Sequence, residues 1–336
     1  MQAWLEAGCA SGLCGGQGYT VGVMIAVHLE NGRVELRRRI VPKPKPGEAL
    51  IRLLAAGICN TDLELQRGYY NFRGTPGHEF VGEVVEAPNR ALLGRRVVGE
   101  INLGCGRCAW CKRGMERHCP HRTVLGIAGR PGVFSEYFTL PERNLRPTPG
   151  GVSTERAVFT EPLAAACEIL EQVRLPKGAE VAVLGDGKLG LLAAQALAIH
   201  GARILLFGRH PEKLAIVKRP GIAVSLRPSG TYNWVVEATG SAAGFEAAVA
   251  MARPRGTVIL KSTVHGAVTL DAAPVVVNEI TLVGSRCGRF GPALRLLRRK
   301  ELRLEEMITA RLPLVEAPEA FKLAARRGTL KVLLIP

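Results

Sequence analysis

The sequence predicts an α/β protein in two parts, a mostly-β segment followed by a doubly wound parallel sheet. Three observations lead there. Residues 24 to about 150 read as short strands broken by Gly and Pro turns. From about residue 155, apolar strands alternate with helical stretches, the pattern of parallel strands joined by helical crossovers. Four cysteines, Cys105, Cys108, Cys111 and Cys119, crowd into the run GCGRCAWCKRGMERHC and mark a compact lobe within the first part. At 336 residues the chain has room for about two domains with cores of their own.

In chain order, residues 1–23 are rich in Gly and small side chains and show neither helical nor strand periodicity. They read as a disordered extension or as translation from too early a start. Cys9 and Cys14 within them admit a redox-pair reading that the blander one outweighs. Met24 to His28 opens the first strand, and the stiff turn Pro42 to Gly47 leads into the alternating strand Ala49 to Leu53. Val81 to Ala87 and Arg95 to Gly99 continue the β texture, and the cysteine lobe occupies about 100–122. The second part begins with the continuous apolar strand Glu180 to Leu184 and a helix running to about His200. Arg203 to Phe207 is the next strand, followed by a helix from Pro211. Trp234 to Glu237, Thr257 to Leu260 and Ile280 to Val283 are further strands. The stretch between Lys213 and Tyr232 is short for a full strand–helix unit, so the sheet is expected to be trimmed there. A closing strand spans Lys331 to Ile335. The expected division is 24–154 for the first domain, 155–284 for the doubly wound domain, and 285–336 as a return to the first.

Composition excludes several classes. No run of 18 or more uncharged apolar residues is present, which argues against a membrane-spanning helix. Nine cysteines with metal-like spacing in a chain of this length favour a reducing cytoplasm over a disulfide scaffold. The net charge of +16 invites a nucleic-acid reading, but the bases are dispersed and aromatics make up only 5% of the chain. A dispersed basic surface also steers anionic cofactors and substrates.

The four clustered cysteines can close around one zinc, and four thiolates leave no open position, so that site is structural. The catalytic candidates are scattered. Cys59 in GICNTD and His78 in GHEFVGEV supply a thiolate and an imidazole, ligand types that zinc favours. Glu161 in TEP, just before the first helix of the second domain, supplies a third ligand. Three protein ligands with one open position define a catalytic zinc.

The run GDGKLG, residues 185–190, sits between strand and helix, the context that gives a glycine fingerprint its meaning. Gly185 permits the tight turn, Gly187 lets the backbone approach a pyrophosphate, and Gly190 lets helix and strand pack closely; Lys188 and Leu189 open the helix whose N–H groups face the diphosphate. The next strand ends Gly208-Arg209-His210 with no acid at its tip. A missing carboxylate removes repulsion against a 2′-phosphate, and Arg209, with His210 and Lys213 nearby, can pair with it, which favours NADP over NAD.

With GICNTD, GHEFVGEV, the four-cysteine run, TEP, GDGKLG, VVEATG and VGSR in order, the chain over about 24–336 resembles the zinc-dependent medium-chain alcohol and polyol dehydrogenases. The resemblance implies a GroES-like catalytic domain joined to a Rossmann domain. It implies Cys59, His78 and Glu161 as catalytic zinc ligands, the carboxylate being typical of the polyol, glucose and threonine dehydrogenase branch, with Cys167 as a competing candidate. Glu79 corresponds to an acid beside the zinc, Asp62 to the residue that orients His78, and Thr61 to the hydroxyl that takes the substrate proton. Arg286 corresponds to a residue near the cofactor diphosphate. Relatives often carry a histidine three residues after the relay hydroxyl, where this chain has Glu64.

The implied activity is hydride transfer between an alcohol or polyol CH–OH group and NADP. Zinc lowers the pKa of the bound alcohol, Thr61 passes the proton outward, and the alkoxide gives hydride to the nicotinamide. Two zinc ions per chain are expected. The partner is a small alcohol, polyol or carbonyl compound, with neither nucleic acid nor membrane, in a homodimer or homotetramer. Two alternatives remain: an NAD-using L-threonine or sorbitol-type dehydrogenase, and a non-catalytic zinc-ribbon protein that binds nucleic acid. Tyr69, Tyr70 and Phe72 suit a pocket lining or a plain loop equally.

Overall fold

A computed structural model describes residues 22–262 and 271–336; the expectation of an extension over 1–23 falls on 1–21 outside the described residues, and its end is corrected, because Val23 already belongs to the first strand. The chain begins with a hairpin, β1 (Val23–Glu30) and β2 (Arg33–Ile40), paired antiparallel around Asn31-Gly32. Both turn residues take positive φ, 49° and 76°, which Asn and Gly tolerate best. β3 (Glu48–Gly57) then forms the centre of a seven-stranded sheet, and α1 (Asn60–Gln66) and β4 (Glu79–Glu86) follow it.

After β5 (Arg96–Gly99) the chain leaves this sheet for the cysteine lobe, comprising β6 (Asn102–Leu103), α2 (Ala109–Lys112), β7 (Thr123–Leu125) and β8 (Gly129–Arg130). It returns through β9 (Tyr137–Pro141) and β10 (Leu145–Pro147), then enters α3 (Thr154–Val158) and α4 (Thr160–Gln172). Glu161 therefore lies inside the first turn of α4, not ahead of it.

The second part runs β11 (Glu180–Leu184), α5 (Lys188–His200), β12 (Arg203–Phe207), α6 (Pro211–Val217), β13 (Ile222–Ser225), β14 (Tyr232–Glu237), α7 (Ala242–Ala250), β15 (Ala252–Leu260), α8 (Ala273–Val277) and β16 (Thr281–Gly284). Its six strands are all parallel in the order β13-β12-β11-β14-β15-β16. The order reverses beside β11, which opens a crevice at the carboxyl end of that strand, where doubly wound sheets take their ligands. Both faces are covered: Val181 and Val183 join one apolar cluster, Ala182 and Leu184 another. That explains why β11 reads as a continuous apolar run instead of an alternating one.

The expected trimming is corrected in its detail. The strand is present as β13, paired with β12 over Ile222 to Ser225; the helix after it is what is missing. Residues 226–231 instead connect β13 to β14 without a helix. The connection passes two strands and also returns along their length, a span of about 20 Å that six extended residues can bridge.

α9 (Phe290–Leu296), β17 (Ile308–Pro313), α10 (Ala317–Ala324) and β18 (Lys331–Ile335) complete the chain. β18 pairs antiparallel with β3, and β17 parallel with β18, so the first sheet takes strands from both ends of the described chain. No helix among the described residues is long and apolar enough to cross a membrane.

Candidate active site

The four lobe cysteines converge. Their sulfurs all lie within 4.8 Å of one another. A tetrahedral ion with bonds of about 2.3 Å sets its ligands about 3.8 Å apart. Cys108 Sγ stands 3.5 Å from Cys111 Sγ and 3.6 Å from Cys119 Sγ, so the donor set fits zinc. Backbone N–H groups also point at the sulfurs: Cys105 N donates to Cys119 Sγ at 3.4 Å and Gly106 N to Cys111 Sγ at 3.3 Å. The N–H groups of Arg107 and Cys108 hold the Cys105 thiol down to about 6, toward the thiolate a metal requires.

The second cluster forms where β3 ends, where α1 begins and where β4 begins. Ligand atoms of Cys59, His78 and Glu79 lie within 4.8 Å of one another. Asp62 ties the two ligand-bearing segments together: its Oδ2 accepts from Cys59 N at 2.8 Å and its Oδ1 from Gly77 N at 3.2 Å. It also faces the His78 ring, with Nδ1 3.6 Å from Oδ1, beyond hydrogen-bond reach. Burial disfavours a charged His78, but the Asp62 carboxylate and Cys59 outweigh it and raise its pKa well above the usual value. Metal binding there must displace that proton.

Gly77 has φ +99°, and a Cβ on it would meet the Phe134 ring at 2.4 Å. Only glycine lets the residue before His78 pack so tightly against the sheet. Thr61 is half-buried on the first turn of α1, its Oγ1 3.8 Å from Cys59 Sγ and able to accept from that thiol. Glu64, on the same helix, is ion-paired with Arg67 at 2.5 Å.

Sequence reasoning missed Lys331. This lysine opens β18, is 1% exposed, and its Nζ is hydrogen-bonded to Glu79 Oε2 and, at 3.4 Å, to Ile58 O. Burial works against its charge, but Glu79 and then Cys59 hold the proton on. The pair needs space: a Cβ on Gly57 would fall 2.6 Å from Glu79 Oε2 and 3.1 Å from Lys331 Cδ. The only sequence signal was a lysine at the head of an otherwise apolar strand. Glu79 Oε1, by contrast, is buried with no hydrogen-bond partner, an acceptor that suits a cation nearby.

Glu161 is buried and its carboxylate makes no hydrogen bond among the described residues. Burial first, then the neighbouring Glu79, raises its pKa, while His78 and Lys331 pull it down. It thus lies within electrostatic reach of the cluster but outside its tightest group. Cys167, two turns further along α4, is pushed up to about 12 chiefly by burial, which makes it a poor thiolate.

The glycine turn stands at the carboxyl end of β11. Gly185 has φ +114°, a Cβ on Gly190 would lie 1.9 Å from Gly185 O, and Gly187 has open space around it. Tight turn, close helix packing and an open approach for a diphosphate are what a dinucleotide needs here. Lys188 forms the first turn of α5. Burial and Lys331 push it down to about 8, partly offset by Cys59, Glu79 and Asp62, which places the turn within Coulombic reach of the metal cluster. Leu189 is half-buried beside it.

Other expected cofactor residues are placed differently. Arg209 is exposed with no side-chain partner among the described residues, but His210 is tied to Asp186 and Lys213 is buried on α6. The Arg286 guanidinium donates to Arg117 O at 2.5 Å, seated on the cysteine lobe. The premise of an acid-free β12 tip is corrected, because Asp186 of the glycine turn brings its carboxylate there.

Residues 45–150 match the family model for the alcohol dehydrogenase GroES-like domain, and residues 189–299 match that for zinc-binding dehydrogenases. The chain is 30% identical to a sorbitol dehydrogenase of Halalkalibacterium halodurans, over 88% of this chain and 94% of that protein. It is 29% identical to an erythritol/L-threitol dehydrogenase of Mycolicibacterium smegmatis, over 88% and 92%. Among solved structures, a putative zinc-binding dehydrogenase from Sinorhizobium meliloti bound to NADP aligns with TM-score 0.86 and 30% identity, covering 94% of this chain and 100% of that one. The alcohol dehydrogenase of Thermus sp. ATN1 aligns with TM-score 0.85 and 31% identity, covering 93% and 99%.

Proposed function

The chain belongs to the zinc-dependent medium-chain dehydrogenases, and from that premise we propose that it oxidises a secondary or primary alcohol of a polyol-like substrate, reversibly, with a nicotinamide cofactor. The observation that carries this reading is the cluster of half-buried Cys59 with buried His78 and Glu79, within electrostatic reach of the glycine turn. The polyol dehydrogenases among its relatives support the substrate class.

In this reading Cys59 and His78 hold a zinc ion, and Glu161, free of other partners, completes the set. Glu79 is kept back by Lys331. Zinc held there supplies Lewis acidity that lowers the pKa of an alcohol hydroxyl. Thr61 takes the departing proton at Oγ1 and hands it toward solvent. Asp62 holds the backbone at Cys59 and Gly77 so that both ligands keep their aim. Gly185, Gly187 and Gly190 with the first N–H groups of α5 cradle the diphosphate, and Lys188 adds a cation beside them. The catalytic domain is then 24–154 with 285–336, and the nucleotide domain 155–284.

A second reading makes Glu79 the third ligand, favoured by its place in the tight cluster. Arg209 supports NADP and the Asp186 carboxylate supports NAD. Free, metal-spaced thiols fit a reducing cytoplasm. The edge strand β16 and the exposed Val276 and Val277 on α8, 74% and 78% exposed, suit association of subunits through the nucleotide domain.

The test joins metal content to turnover. Purified protein should carry two zinc ions, and Cys59→Ala should lose one and all dehydrogenase activity on an alcohol and polyol panel with NAD and NADP. Glu161→Gln should lose that zinc and Glu79→Gln keep it; the reverse result would favour Glu79 as ligand. Inert protein with two zincs across the panel would sink the reading.

A further inference from the structure

The strand tip that lacks an acid in sequence has one in space. Asp186 lies between Gly185 and Gly187, in the turn after β11, and reaches across to the end of β12. One oxygen, Oδ2, accepts from Arg209 N at 2.7 Å, from His210 N at 2.7 Å and from the His210 ring at 3.0 Å. Two successive backbone N–H groups converging on one oxygen make an anion-binding nest. Burial would raise the Asp186 pKa, but the three donors reverse that and hold the carboxyl below its ordinary range. The other oxygen, Oδ1, takes no hydrogen bond among the described residues.

Gly208 is the counterpart of this arrangement. A Cβ there would lie 2.5 Å from both Asp186 Cβ and Oδ2. An acid carried by the strand itself and the acid carried by the turn therefore exclude each other. In a doubly wound sheet the adenosine ribose lies over the end of this second strand, where an acid accepts from its hydroxyls.

We propose that Asp186 selects the adenosine ribose: it fills the nest that a 2′-phosphate needs and offers Oδ1 to a ribose hydroxyl, so the chain favours NAD over NADP. The inference rests on the nicotinamide reading above. A 2′-phosphate entering here meets a carboxylate already holding both backbone donors and the near side of the His210 ring. Arg209 alone remains to pair with it, and its attraction is opposed by the like charge of Asp186.

The experiment titrates the zinc-loaded protein calorimetrically with ADP-ribose and with its 2′-phosphate, probes that bind without reaction. ADP-ribose should bind about tenfold tighter or more, the scale expected when one like charge is set against an anion. Asp186→Ser opens the nest and should shift the ratio toward the 2′-phosphate by about tenfold. Asp186→Asn, equal in size but uncharged, should move it the same way by less. Binding of either probe shows that the variant is folded; if the Ser variant binds neither, the wild-type and Asn ratios decide. Tighter binding of the 2′-phosphate by wild type, or an unchanged ratio in a variant that still binds, overturns the role of Asp186 alone. Failure of wild type to bind either probe removes the nicotinamide reading itself and the inference with it.

Discussion

Glu79 and Lys331 are both 1% exposed, a charged pair sealed within the candidate metal site. Removing one partner of such a pair typically costs about 3–5 kcal/mol, whereas replacing both by neutral groups of similar size is nearly free. Lys331→Met should therefore lower the melting temperature sharply, and adding Glu79→Gln should restore most of the loss; equal damage in single and double variants would show that the pair is not coupled. Thr61 makes a different claim. Its hydroxyl touches Cys59 Sγ but holds no structural hydrogen bond of its own, so Thr61→Ala should keep both zincs and the fold while turnover falls about 100-fold or more. Near-normal turnover in that variant would remove the relay. The candidate ligands were legible because Cys, His and Glu carry metal chemistry in their identity. Lys331 and Asp186 were not, since each acts through a partner far away in sequence, and only folding brings them together.

At the scale of elements, the cysteine lobe is an insertion between β5 and β9 whose own strands are two or three residues long. Strands that short cannot hold a fold by their ladders alone. The lobe is fastened by Arg117 to α4, through Glu168, and to the loop after β16, through Cys287 O, both at 2.6 Å. Cys119→Ser should cost the lobe its zinc and lower the melting temperature by more than about 5 °C. The Cys59 site should still load zinc, as metal analysis would show; loss of both ions together would mean that the two sites are not independent. Lys261 plays a similar fastening part, its Nζ donating to Ala165 O on α4 and to Ser285 Oγ and Arg286 O in the loop after β16. The bounds of β11, α5, β12 and β18 could be read from the chain because each is an unbroken apolar or periodic segment ended by Gly, Pro or charge. β13 was obscured because the loop after it carries no helix to complete the familiar unit, and Glu161 fell inside α4 because α3 and α4 abut without a spacer.

At the scale of the molecule, two sheets of different origin meet along α4 and α5, and one apolar cluster runs through both. Ala55, Val81 and Leu333 of the first sheet share it with Val181 and Ile204 of the second and with Leu191 of α5. The two-part architecture was visible in the change of texture near residue 155, and a return of residues 285–336 to the first part was expected, but the pairing of β18 with β3 was not, because β17 and β18 carry no mark of their partner. That closure has a consequence in time. β3 and β4 leave the ribosome early, with Cys59 and His78 already in place, yet β18 pairs with β3 at Leu333–Gly57 and Leu334–Ala56 only after some 270 further residues have been made. The cysteine lobe, closed over a short loop, is free to capture its ion long before. A chain halted at Leu330 should accordingly hold the lobe's zinc but not the one at Cys59, and one zinc per chain is the expected count. Two would show that the early strands form the reactive site unaided. On the proposed assignment the lobe's site is thus complete first and the Cys59 site last, so a half-made chain lacks the candidate reactive centre.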